Sequence, residues 1–137
     1  MSLQDQCPYV LVVDDEPLIV QYVQRVLLPA NYRVLTATDA EEAWTIFAHR
    51  EVRIGLLLTD IVMPGSMDGF ELAAKVQKTE PALPILFMTG AISEGDPRSV
   101  EITEKGLLLR KPFFPKQLLA FLDGRIESKS PNFQSTL

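Results

Sequence analysis

The stretch VLVVDDEP, Val10 to Pro17, decides how the rest of the chain is read. Four apolar residues, Val10 to Val13, run straight into three acids, Asp14, Asp15 and Glu16. A short continuous apolar run bounded by polar residues reads as a strand buried on both faces, as in parallel sheets. The acids that follow repel one another: two like charges ~4 Å apart cost on the order of 4 kcal/mol at an effective dielectric near 20. Either they splay into water, or something positive belongs between them.

Working outward, four further runs have the same character: IGLLL (54–58), LPILFM (83–88), GLLL (106–109) and a weaker YRVLTA (32–37). Segments of helical period separate them. Ile19, Val23, Val26 and Leu27 share one stripe, and Ala40, Ala43, Trp44 and Phe47 another. Asp39 with Glu42, and Asp68 with Glu71, have the spacing of capping boxes. Pro115 suits a first helical turn ahead of Leu118, Phe121, Leu122 and Ile126. The segment 92–105, broken by Gly95 and Pro97, is the weakest helix. Strand and helix alternating five times predict an α/β fold, a three-layer sandwich with a five-stranded parallel sheet and helices on both faces. Residues 1–7 read as a flexible leader, 8–127 as one domain and 128–137 as a polar tail.

The totals bound the function. The 137 residues carry 13 basic and 18 acidic side chains, a net charge of −5. That balance offers no basic face for nucleic acid or an anionic membrane surface. No apolar segment approaches a membrane span, and MSLQDQ lacks the features of a secretion signal. One cysteine, Cys7, and one histidine, His49, exclude an internal disulfide and a Cys/His metal cluster. A cytoplasmic protein is expected.

Four of the five runs end in unusual residues: Asp14 and Asp15; Thr59 and Asp60; Thr89 and Gly90; Arg110, Lys111 and Pro112. A parallel sheet brings all its carboxyl ends to one edge, where open α/β sheets bind ligands. Asp14, Asp15 and Asp60 contribute −3 there and Lys111 +1. The remaining −2 matches a divalent cation, and all-oxygen ligands with retained water suit Mg²⁺. Mg²⁺ and a lysine together neutralise a transferring phosphoryl group, and a carboxylate can itself be the nucleophile. Asp60, on the central strand, is the candidate.

VLVVDDEP, LLLTDIVMPGSMDG, MTGA and RKPF, in this order, resemble the receiver domain of two-component response regulators over residues 8 to 127. The resemblance implies a flavodoxin-like sheet of order 2-1-3-4-5, with Asp60 as the phosphoacceptor and modified residue. It implies Mg²⁺ on Asp14, Asp15, Asp60 and the backbone carbonyl of Val62, with Thr89 following the phosphoryl group and Lys111 pairing with it. Gly90 leaves the entry side open, and the peptide bond before Pro112 is expected to be cis. The implied donor is a phosphohistidine on a sensor histidine kinase or a histidine phosphotransfer domain; a weak homodimer is compatible with the fold. No turnover of an external substrate is expected, only self-phosphorylation and slow self-dephosphorylation.

This chain departs from the family pattern at four places. Leu108 stands at the switch position usually held by an aromatic, and has neither ring nor hydroxyl to swing. Val62 and Ala91, two residues past Asp60 and Thr89, have no side chain able to orient a water. The loop MPGSMDG is one residue longer than its tightest forms, as in hybrid sensor kinases. The chain reads as either a free-standing regulator or a piece of a larger kinase, without an effector of its own.

Competing readings are weaker. A haloacid-dehalogenase-like phosphatase wants a second acid where Val62 stands. A flavin-binding module wants a hydroxyl- and glycine-rich phosphate loop where DDE stands. The alternative that remains is a receiver-fold interaction module that is not phosphorylated in the cell.

Overall fold

The computed structural model describes residues 7–49, 51–90 and 96–126. Most of the leader, Ala91, the segment 92–95 and the tail lie outside the described residues. Among the described residues five strands, β1 (Tyr9–Val13), β2 (Arg33–Ala37), β3 (Ile54–Asp60), β4 (Ile85–Thr89) and β5 (Leu108–Arg110), alternate with five α-helices. These are α1 (Pro17–Leu27), α2 (Ala40–His49), α3 (Gly69–Thr79), α4 (Pro97–Glu104) and α5 (Pro115–Leu122). The strands pair in parallel in the order β2-β1-β3-β4-β5. Among the described residues no helix is long and apolar enough to cross a membrane.

The period-two alternation of side chains sorts the central strands into two cores. Leu11, Val13, Leu57 and Phe87 face one side and meet Ala43, Phe47, Leu72, Val76 and Ile102 of α2, α3 and α4. Val10, Val12, Leu56, Leu58, Leu86 and Met88 face the other and meet Val23, Leu27, Leu118 and Leu122 of α1 and α5. Each fully buried valine, leucine, phenylalanine or methionine among them contributes on the order of 1.5–3 kcal/mol. Burial on both faces is why these strands read as unbroken apolar runs.

The helices begin largely where the acids predict. Asp68 and Glu71 form a complete reciprocal box on α3, Glu71 N–H donating to Asp68 Oδ1 (2.9 Å) and Asp68 N–H to Glu71 Oε1 (3.0 Å). Asp68→Ala is expected to cost about 1 kcal/mol; a denaturant midpoint shift equivalent to less than ~0.3 kcal/mol would show the box idle. At α2 the Asp39 carboxylate accepts from Glu42 N–H (2.7 Å), but Glu42 returns its bond to Thr38 N–H (2.8 Å).

Several details differ from the sequence reading: β4 and β5 lie at Ile85–Thr89 and Leu108–Arg110, towards the carboxyl end of the runs 83–88 and 106–109. The fully buried stripe of α1 is Val20, Val23 and Leu27, with Ile19 and Val26 at its margins. β3 continues through Thr59 and Asp60, because the backbone ladder onto β4 is indifferent to side-chain polarity. α5 stops at Leu122, so Ile126 packs from beyond the helix. α4 begins only at Pro97, where Asp96 caps it by accepting from Arg98 N–H (2.9 Å).

Candidate functional site

The carboxyl edge of the sheet gathers the polar residues. Asp14 follows β1 and extends its ladder, donating its N–H to the Ala37 carbonyl (3.2 Å). Its side chain is completely buried. Oδ1 accepts from Glu16 N–H (2.9 Å), while Oδ2 lies 2.6 Å from Lys111 Nζ. That ion pair is poorly directed, and among the described residues Asp14 Oδ2 is a buried oxygen with no properly angled hydrogen bond. Asp15 is half-buried. Glu16 occupies the N-cap position of α1 but makes no capping bond, so helix capping does not account for this acid.

Asp60 ends β3 on the central strand, buried, with Oδ1 accepting from Ile61 N–H (2.9 Å) and Oδ2 3.5 Å from Lys111 Nζ. One carboxylate oxygen from each of Asp14, Asp15 and Asp60 lies within 4.8 Å of the others. Lys111, only 9% exposed, therefore sits between two buried carboxylates; its 3.6 Å approach to exposed Glu16 adds little. The Lys111 N–H donates to the Thr89 carbonyl (2.8 Å), so the lysine hangs from the end of β4, where Thr89 is itself buried. The Lys111–Pro112 bond is cis. Beyond it, Tyr22 of α1 donates its hydroxyl to the Phe113 carbonyl (2.8 Å) and fixes that loop.

The electrostatics show an excess of negative charge. Burial, then the neighbouring Asp14 charge, push the Asp60 carboxyl up to about 7 against the pull of Lys111. Burial also raises Asp14, opposed by Lys111. Burial disfavours the Lys111 charge, yet the carboxylates of Asp14, Asp60 and Glu16 outweigh it and raise the ammonium's pKa. Three carboxylates with oxygens close together, one of them carrying a buried oxygen without a directed hydrogen bond among the described residues, are a donor set that fits a small dication.

The remaining candidates are placed as follows. Val62 follows the site in the β3–α3 loop, its side chain 65% exposed. Gly90 is exposed, and among the described residues a Cβ there would meet only Lys111 Cδ, at 3.8 Å. Leu108 opens β5 opposite Phe87 and packs half-buried on the α2–α4 side.

Two residues to which the sequence reading gave no role tie down Asp60. Thr59, fully buried, donates its hydroxyl to the Asp60 carbonyl (2.9 Å). Gly69, the first residue of α3, lies directly against the Asp60 and Ile61 backbone and donates its N–H to the Ile61 carbonyl (2.9 Å). A glycine after a capping aspartate carries no local signal of that contact.

Comparison with known proteins agrees with this geometry. Response regulator RppA of Synechocystis is 33% identical over 127 residues, covering 91% of this chain and 53% of its own. Transcriptional regulatory protein YvrH of Bacillus subtilis is 36% identical over 112 residues, 81% of this chain and 46% of its own. The chain thus spans about half the length of the curated relatives it matches. The crystal structure of chemotaxis protein CheY4 of Vibrio cholerae superposes with a TM-score of 0.74 at 33% identity, covering 88% of this chain and 100% of that one. Residues 10–123 match the family described as the response regulator receiver domain, and with its sheet order and acidic edge the chain belongs to that family, a component of two-component signalling.

Proposed function

We propose that the chain is a Mg²⁺-dependent phosphoacceptor that takes a phosphoryl group onto Asp60 from a phosphohistidine, carried by a sensor histidine kinase or a histidine phosphotransfer domain. The observation that carries this reading is the convergence of Asp14, Asp15 and Asp60 within 4.8 Å, beside a lysine 2.6 Å from one and 3.5 Å from another. Asp14, Asp15, Asp60 and the Val62 carbonyl would hold Mg²⁺, which when bound supplies positive charge at the phosphoryl oxygens.

The chain's own residues do the rest. An Asp60 oxygen attacks phosphorus in line; the P–N bond to the imidazole breaks and its electron pair stays on nitrogen. Ile61 N–H, on Oδ1, keeps the carboxylate aimed. Lys111 Nζ, already facing Asp60 Oδ2, balances the charge the phosphoryl group brings. Thr89 lies at the end of the adjacent strand, where its hydroxyl follows the phosphoryl group and draws its loop inward. α4 is the element to respond, since only Ser99 and Ile102 of its eight residues are buried. No external substrate is turned over.

Incubating the wild-type chain and Asp60→Asn with acetyl phosphate and Mg²⁺, then measuring intact mass, tests the assignment. An adduct on both proteins, or on neither, defeats it.

Release is slow in this reading. The exposed Val62 side chain beside the acceptor has no group to orient an attacking water. Val62→Asn is expected to speed phosphoryl loss by roughly threefold or more. A wild type that loses the group as fast as the variant would contradict it.

A further inference from the structure

The β3–α3 loop, residues 61–68, is anchored at both ends. At one, Ile61 N–H meets the Met88 carbonyl (3.2 Å) and Asp60 Oδ1 (2.9 Å). At the other stand the Asp68–Glu71 box and the bond from Gly69 N–H to the Ile61 carbonyl (2.9 Å). Between those anchors a residue from a different helix takes hold. Glu41 Oε1, in the first turn of α2, accepts both the Ser66 N–H (3.0 Å) and the Ser66 hydroxyl (2.5 Å) across 25 residues of sequence. The same carboxylate lies over Gly65, whose φ is +109°; a Cβ there would stand 3.2 Å from Oε1. The chain reverses beneath the carboxylate in a conformation that favours glycine. An acid at this position would complement the α2 dipole wherever it pointed, but dipole complementarity does not turn both bonds onto one loop residue.

We propose that Glu41 is a positioning residue for the Asp60 site: clamped on Ser66 over Gly65, it presets the loop that carries Val62, so that cation binding need not order it. This rests on the phosphoacceptor reading above. Ordering a loop on binding subtracts from affinity, and a clamp that orders it beforehand restores that loss. The effect belongs to cation affinity and not to the transfer step. The Asp60 nucleophile and Lys111 are held by β3, β4 and their own contacts, none of which involves Glu41.

Calorimetric titration with MgCl₂ of the full chain, as wild type, Glu41→Ala and Glu41→Gln, tests this. Glu41→Ala is expected to bind Mg²⁺ about three- to tenfold more weakly. Glu41→Gln, whose amide oxygen can accept the same two bonds without the charge, is expected within about twofold of wild type. At saturating Mg²⁺, phosphorylation of Glu41→Ala by acetyl phosphate is expected to return to within about twofold of wild type. Equal affinity in Glu41→Ala, an equal loss in Glu41→Gln, or a rate deficit that survives saturation each overturns the clamp alone. A wild-type chain that takes up no Mg²⁺ overturns the phosphoacceptor reading, and the clamp with it.

Discussion

Asp60→Asn is expected to accept no phosphoryl group, yet to be more stable than the wild type at pH 8 without metal, by on the order of 2–4 kcal/mol. The gain follows from the raised carboxyl. In the unfolded chain an aspartate titrates near ~3.9; folded, burial and then the charge of Asp14 push Asp60 up to about 7. Across that window the folded state holds the proton more tightly than the unfolded one. Its stability therefore falls as pH rises from about 4 to about 7, and the deficit is complete above the folded value. Three units correspond to roughly 4 kcal/mol. Asp14, itself raised by burial, remains in the cluster beside Lys111 in the variant, so the gain stays below that full value.

Asparagine removes the buried charge while keeping the bond that orients the side chain, since its Oδ1 can still accept from Ile61 N–H, 2.9 Å away in the parent. Lys111 loses a partner at 3.5 Å and keeps Asp14 at 2.6 Å. Below about pH 4 the stabilities of variant and wild type should converge, because the parent carboxyl is then protonated in the unfolded chain as well as in the folded one. Added Mg²⁺ should stabilise the wild type at pH 8 by mass action and the variant less. Urea denaturation at both pH values is the measurement. A variant no more stable than wild type at pH 8, or stabilised equally at both, would falsify the claim that the acidic edge is electrostatically overloaded.

How far the sequence carries can be judged residue by residue. β1 is legible to its last residue, because a strand covered on both faces has no polar position within it. The gathering of Asp14, Asp15, Asp60 and Lys111 is legible for a related reason: parallel strands share a carboxyl edge, so polar residues after separate apolar runs must meet. β3 is underestimated by two residues because Thr59 and Asp60 look like the start of a loop, while backbone pairing continues to Met88. α1 is rotated slightly towards Val20, since several registers of a stripe this apolar satisfy the pattern equally. Glu41 with Ser66, and Gly69 with Asp60, are illegible for a different reason. Each depends on the distance between segments that no local periodicity records.

Gly69 shows what such a contact is worth. A Cβ on this residue would drive into the Asp60 carbonyl oxygen and stand 2.9 Å from both the Asp60 carbonyl carbon and the Ile61 Cα. These are backbone atoms of a central strand and its exit, with no flexible side chain to yield. Alanine at the first position of α3 would by itself favour the helix by up to about 1 kcal/mol. The clash opposes this and wins: moving α3 away strains the bond from Gly69 N–H to the Ile61 carbonyl and the capping box beside it. Gly69→Ala is expected to cost on the order of 3 kcal/mol net, and to slow phosphorylation, because the displaced atoms belong to Asp60 itself. Gly90→Ala is the control. It too borders the site, but among the described residues its Cβ would meet only Lys111 Cδ at 3.8 Å, an ordinary contact, so its stability should stay within about 0.5 kcal/mol of wild type. Denaturant midpoints and acetyl phosphate labelling rates for the two variants separate the cases. Equal, small effects at both glycines would mean that α3 does not press on the acceptor strand.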